Sequence, residues 1–138
     1  LIRTESAVTN RRIWVALTSQ SLAATDGIGS NAAVFVGARY STSAGDSTWK
    51  CVSGDGTTGS AIDTGVAVIA NSAYRVTLDW SVSGQLICTI NGVSVSKTTN
   101  LASSSSVDLG VYANATNIAA GAVKNLIAFL RVQYVGNE

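Results

Sequence analysis

The chain has 138 residues, 46% of them apolar and 12% charged, with a net charge of +1. That length makes one domain, 1–138, with room for a core that needs no metal or disulfide staple, and scattered Lys and Arg on a near-neutral chain exclude the electrostatic footprint of a nucleic-acid binder. The absence of histidine excludes Ser-His-Asp and Cys-His nucleophilic catalysis, and no apolar run is long enough to span a membrane as a helix.

Gly, Ser, Thr, Ala and Val dominate and Pro is absent, which suits short strands joined by glycine turns and starves helices of good formers. In chain order, residues 1–6 read as a first strand, with a turn at Thr9-Asn10. Residues 12–18 are apolar on both faces and belong at the centre of a sheet; Arg11-Arg12 before them reads as solvated strand-end charge. Residues 19–31 form a polar loop longer than a hairpin needs, the kind of place where binding resides. A strand over 33–41 carries Val34, Val36, Ala38 and Tyr40 on one side and Phe35, Gly37 and Arg39 on the other. A turn at 43–46 leads to a strand over 48–53, and 60–68 reads as a short strand pair or a bent strand broken at Asp63-Thr64-Gly65.

The architecture is most legible over 73–98. Tyr74, Val76, Leu78, Trp80 and Val82 alternate with polar residues, Ser83-Gly84 offers a turn, and Leu86, Cys88 and Ile90 resume the alternation. Asn91-Gly92 then demands a hairpin, since a type I′ turn needs positive φ at both central residues. A serine-rich loop over 100–106, a strand over 107–113, a small-residue loop over 114–122 and a closing strand over 123–135 complete the pattern. About ten strands without a helix predict an all-β, two-sheet antiparallel sandwich. The chain begins at Leu1 and holds no Met, so it is read as a processed or trimmed part of a longer chain.

The chemistry-bearing residues are sparse. Cys51 and Cys88, each inside a strand, read as buried free thiols packed like small hydrophobes, with a pair across the core as the alternative. No His or further Cys stands at ligand spacing, so no zinc site is expected. Asp26 with Asn31 could contribute to a Ca²⁺ loop, but one carboxylate is thin for a hard cation, and an ordinary turn is the reading taken. Gly27-Ile28-Gly29-Ser30-Asn31-Ala32 matches a dinucleotide fingerprint formally, yet it lacks the strand before and the helix after that the fingerprint needs. Asn114-Ala115-Thr116 is a sequon read as chance. Trp80 shares the dry face with Leu78 and Val76 and is expected in the core; Trp49 and Tyr112 are the aromatics better placed for surface stacking, although packing is the reading preferred for each.

Certain stretches resemble a known family. Arg39-Tyr40-Ser41-Thr42-Ser43-Ala44-Gly45-Asp46-Ser47-Thr48-Trp49-Lys50, then Asp63-Thr64-Gly65-Val66-Ala67-Val68, Ala73-Tyr74-Arg75-Val76, Thr89-Ile90-Asn91-Gly92-Val93 and Leu130-Arg131-Val132 together resemble the concanavalin A-like (laminin G-type) jelly-roll domains of tailed-phage and metagenomic virion proteins. The resemblance implies a jelly roll and a place among fibre, tail or capsid-decoration modules. Glycanases on this fold carry clustered carboxylates on one strand; here Glu5 and Glu138 stand near opposite ends and the aspartates are single. The expectation is therefore no enzyme and no cofactor.

Two functions follow as expectations. The first is a non-catalytic structural module of a virion, a capsid decoration or fibre component on an extracellular particle. It would contact other virion proteins as a homo-oligomer, a trimer by preference, through apolar residues such as Leu22, Ile28 and Ile118. The alternative is a lectin-like module that binds surface glycans through Trp49, Tyr112, Asn114 and Asn117. Neither involves nucleic acid or a membrane.

Overall fold

The structure is a computed structural model that describes residues 1–81, 84–101 and 109–120, together with the backbone of 123–125. It is all-β, with every strand pair antiparallel. The described strands are β1 (Ile2–Arg3), β2 (Arg11–Thr18), β3 (Gly29–Ser30), β4 (Val34–Ser41), β5 (Thr48–Asp55), β6 (Thr58–Ala67), β7 (Ala73–Tyr74), β8 (Val76–Asp79), β9 (Leu86–Ile90), β10 (Val93–Lys97), β11 (Gly110–Asn117) and β12 (Val123–Asn125). A seven-stranded sheet runs β12-β11-β2-β4-β5-β6-β3, a three-stranded sheet runs β10-β9-β8, and β1 pairs with β7.

The central meander forms as the alternation predicts. Asn91 and Gly92 take φ values of 49° and 87° at the β9–β10 turn, the left-handed pair that a tight hairpin requires. Asn91 also ties the turn to the neighbouring strand, its Oδ1 accepting from the Arg75 amide at 2.8 Å. The inner faces of β8, β9 and β10 lie against the large sheet at β4, β5 and β6. Between them, Val36, Cys51, Leu86 and Cys88 make one apolar cluster, with Leu78, Trp80 and Val95 packed against it. Trp80 thus sits on the dry face as expected, half-buried. A second cluster, around Tyr40, Trp49, Tyr74 and Ile90, closes the other end of the seam.

Several expectations are corrected. Cys51 and Cys88 are not free thiols: they form a disulfide between β5 and β9, with Cα atoms 5.8 Å apart. Once the two sheets stack, that separation lies within bridging range. The first strand shrinks to Ile2–Arg3, and the meander's first strand is split at Arg75 into β7 and β8. The last strand but one extends to Asn117, so Asn114 lies inside β11 and not in a loop. The closing strand begins at Val123 as expected. Its continuation past Asn125, the serine-rich loop from Ala102 and part of the Ser83-Gly84 turn lie outside the described residues.

Candidate functional site

At β4 the large sheet is buried on both faces, so the strand is shielded from Phe35 through Ser41, whereas β6 leaves much of its outer side exposed. The sheet's inner face meets the small sheet. Its outer face is covered by the loop between β2 and β4, the long polar segment singled out in the sequence. Leu22, from that loop, is fully buried with Trp14, Ala16, Ala33, Phe35 and Val52. Trp14 and Phe35 meet edge to face with ring centroids 5.5 Å apart, and the Trp14 indole Nε1 donates to the Thr25 carbonyl at 3.3 Å. Gly27 crosses above both rings at φ +64°, where an added Cβ would come within 2.7 Å of Trp14 and 2.8 Å of Phe35.

Beside this apolar plug lies a cluster of charges that sequence reasoning missed. The register places Thr116, Arg12 and Ser41 in one row across the sheet, and Asn114, Trp14, Arg39, Lys50 and Asp63 in the next. Asp26 descends from the loop onto the first row. Its carboxylate accepts from Arg12 Nε at 2.7 Å, from Ser41 Oγ at 2.6 Å and from Ser43 Oγ at 2.8 Å. Arg12 also donates to the Ala23 carbonyl at 2.8 Å and to Ser43 Oγ at 3.1 Å. Arg12 is therefore a buried anchor, not the solvated strand-end charge expected of the Arg11-Arg12 pair. Arg39 holds Asp46 from the β4–β5 turn and reaches the Asp26 main-chain carbonyl through Nη1.

Burial alone would raise the Asp26 pKa, but the donors Arg12, Ser41 and Ser43 outweigh it and hold the carboxyl below its ordinary value. At the sheet's far side Asp63, bonded by Lys50 Nζ at 2.7 Å and by Thr48, is lowered to about 2. Asp55 is likewise lowered to about 2 by the Thr58 and Thr57 amides that it caps. Every one of these carboxylates serves a turn or an ion pair. Among the described residues no group of three or more His, Cys, Asp or Glu is placed to hold a metal.

Of the residues proposed from sequence, only Tyr112 and Asn114 come together. Trp49 is fully buried between the sheets, edge-on to Tyr74 with centroids 5.4 Å apart, and its Nε1 has no hydrogen-bond partner; it packs the core instead of presenting a surface ring. Leu22 is the buried plug of the loop, so it offers no partner surface. Tyr112 and Asn114 do come together on the outer face, with Asn114 Nδ2 donating to the Tyr112 hydroxyl at 2.7 Å and Ser21 Oγ 3.4 Å from that hydroxyl. Asn114 is buried there beneath its neighbours, which also disposes of the sequon as an accessible site. Asn117 ends β11 and turns inward on its own chain, its Oδ1 capping the Ala119 amide at 3.1 Å. Ile118 is half-buried, its amide tied to the Asn10 carbonyl. Ile28 is the one apolar candidate that stands exposed, at 46%.

The missed network had one faint signal. Arg39 shares a strand face with Phe35 and Gly37, and an arginine on a face that also carries a phenylalanine needs an acid once a loop covers it. Compared with protein-family models, curated proteins and solved structures, the chain matches none of them.

Proposed function

We propose that the chain is a non-catalytic structural module of a phage virion, a capsid decoration or fibre component that acts through multivalent protein contacts on the particle surface. The setting comes from the resemblance of residues 39–50, 63–68 and 89–93 to virion jelly-roll domains. The observation that carries the reading is the use made of the charged side chains. Arg12, Asp26, Arg39 and Asp46 are spent on pinning the long loop and the β4–β5 turn to the sheet, so the chemistry of the outer face goes into rigidity. Among the described residues, large apolar side chains left exposed to a partner are dispersed over the surface, Ile28, Ile69, Val93 and Val111 among them. Contacts of that kind are individually weak and gain strength from symmetric repetition.

The test is the solution mass of the chain by light scattering coupled to size exclusion. A trimer or other closed oligomer is the expected result, and a monomer at high concentration overturns the multivalent reading. A second reading, a lectin-like module for surface glycans, is favoured by the Tyr112 and Ser21 hydroxyls, which meet on the outer face above the buried Asn114 that holds Tyr112 in place. A monomer that binds on a glycan array, and loses binding in Tyr112→Ala, would establish it instead.

A further inference from the structure

Cys51 is held in β5 between Ala38 of β4 and Ile62 of β6, and Cys88 in β9 between Leu78 of β8 and Val95 of β10. Each strand therefore owes its register to backbone ladders in which sulfur plays no part. Both cysteines are fully buried, in an apolar seam with Val36 and Leu86 and with Leu17, Leu78 and Val95 against it. A pair of thiols would fill that seam as small hydrophobes. What the ladders do not supply is a tie across the seam, because among the described residues the three-stranded and seven-stranded sheets share no strand pairing. The disulfide supplies the covalent one, beside the hydrogen bond that Lys97 Nζ of β10 donates to Ser60 Oγ of β6.

We infer that the Cys51–Cys88 bond is a redox lock: the sandwich folds as a dithiol, and the bond clamps its two sheets when the domain meets an oxidising milieu. A low-molecular-weight disulfide, RSSR, is a sufficient oxidant. One cysteine thiolate attacks it, forming a mixed disulfide and expelling RS⁻. The second thiolate attacks the protein sulfur of that mixed disulfide, closing the Cys51–Cys88 bond and expelling the second RS⁻. The two thiol protons end on the two leaving thiolates, so two cysteines lose two electrons and RSSR becomes two RSH. Because neither sulfur is exposed, both locking and unlocking wait on an opening of the seam. Reductant thus reaches the bond slowly while the protein stays folded. The bond closes a segment with a sequence separation of 37. Restricting the unfolded chain by that much lowers the unfolding constant on the order of several hundred-fold.

The experiment compares the whole chain purified under dithiothreitol with the same chain oxidised by glutathione disulfide. The reduced chain should keep the near-UV circular dichroism of the oxidised one, and its two thiols should react with a chromogenic disulfide only once denaturant is added. Oxidation should lower the unfolding constant several hundred-fold in urea titrations, and dithiothreitol should cleave the bond far faster in denaturant than in native buffer. A reduced chain without native near-UV signal would show the bond to be a condition of folding and overturn the proposal. So would equal stability of the two forms, or cleavage in native buffer at the rate of the unfolded chain. The double variant Cys51→Ala/Cys88→Ala supplies the control: its stability should not respond to reductant, and a response would place the switch elsewhere.

Discussion

Arg39 grips Asp46 through both arms of its guanidinium, Nε to Oδ2 and Nη2 to Oδ1, each at 3.1 Å, and the two side chains are 2% and 4% exposed. Asp46 Oδ2 accepts the Ser41 amide as well, at 2.8 Å, so the pair closes the β4–β5 turn while the third nitrogen of Arg39, Nη1, reaches the Asp26 carbonyl of the long loop. Removing one partner strands the other charge in a buried place. Asp46→Asn should therefore destabilise the fold by about 3–5 kcal/mol. Asp46→Leu combined with Arg39→Met, which removes both charges, should cost less than the two single changes added together. Urea unfolding of the four proteins measures the coupling, and strict additivity would mean that the fork contributes nothing.

Asp26 gives the fold an acid-sensitive fastening. Its folded pKa lies below the ordinary 3.8, because hydrogen bonds from Arg12, Ser41 and Ser43 overcome the opposing effect of burial. The unfolded chain consequently takes up the proton first. The stability that Asp26 contributes is complete above the ordinary aspartate range and is lost as pH falls through the depressed folded value. Asp55 and Asp63, both lowered to about 2, add to the same acid decline. Asp26→Asn should lower stability near neutral pH by about 1.5–3 kcal/mol and leave a shallower fall between pH 4 and pH 2, a window set by the ordinary carboxylate range. Thermal midpoints across that range decide it; parallel curves for the two proteins would remove Asp26 from the fastening.

The fold is legible wherever a local rule decides it. Asn91-Gly92 forces its hairpin through two positive φ values, and the strict alternation from Tyr74 to Trp80 and from Leu86 to Ile90 assigns the dry face before any packing is known. What sequence reading missed is decided between segments far apart. Asp46 and Asp26 lie seven and thirteen residues from Arg39, on opposite sides of it, and no pattern along the chain states that they meet. The cysteine pair depends on two sheets stacking, a relation that neither strand encodes by itself. Trp49 follows a turn, which makes it a candidate surface ring in the sequence, and only the register settles it in the core. The stretch from Val111 to Thr116 is different, since its signal was present: Val111, Ala113 and Ala115 alternate with Tyr112, Asn114 and Thr116 in period two, and the polar half disguises the strand as a loop.

Gly27 shows how tightly the loop is laid on its aromatic floor. With φ at +64° and an added Cβ only 2.7 Å from Trp14 and 2.8 Å from Phe35, alanine meets backbone strain and a clash together. Two edge-to-face rings in a packed cluster cannot yield without moving each other. Gly27→Ala should cost roughly 1–3 kcal/mol and alter the near-UV signal of Trp14. A variant with wild-type stability and an unchanged spectrum would show the loop to be loosely seated.

Leu22 and Ile28 belong to the same loop and resemble one another in the sequence, yet the structure assigns them opposite work. Leu22 is fully buried and Ile28 is 46% exposed. Leu22→Ala empties part of the apolar plug and should cost about 2–5 kcal/mol. If the chain assembles through its exposed apolar side chains, the weakened variant should keep the wild-type oligomeric mass at temperatures where it remains folded. Ile28→Asp places a charge on solvent-facing surface and should change stability by no more than about 0.5 kcal/mol, while a contact made through Ile28 would not tolerate it and the oligomer should dissociate. Light scattering and urea unfolding on both variants separate the two roles. An Ile28→Asp protein with undiminished mass would exclude this loop from the contact and direct attention to Ile69, Val93 and Val111.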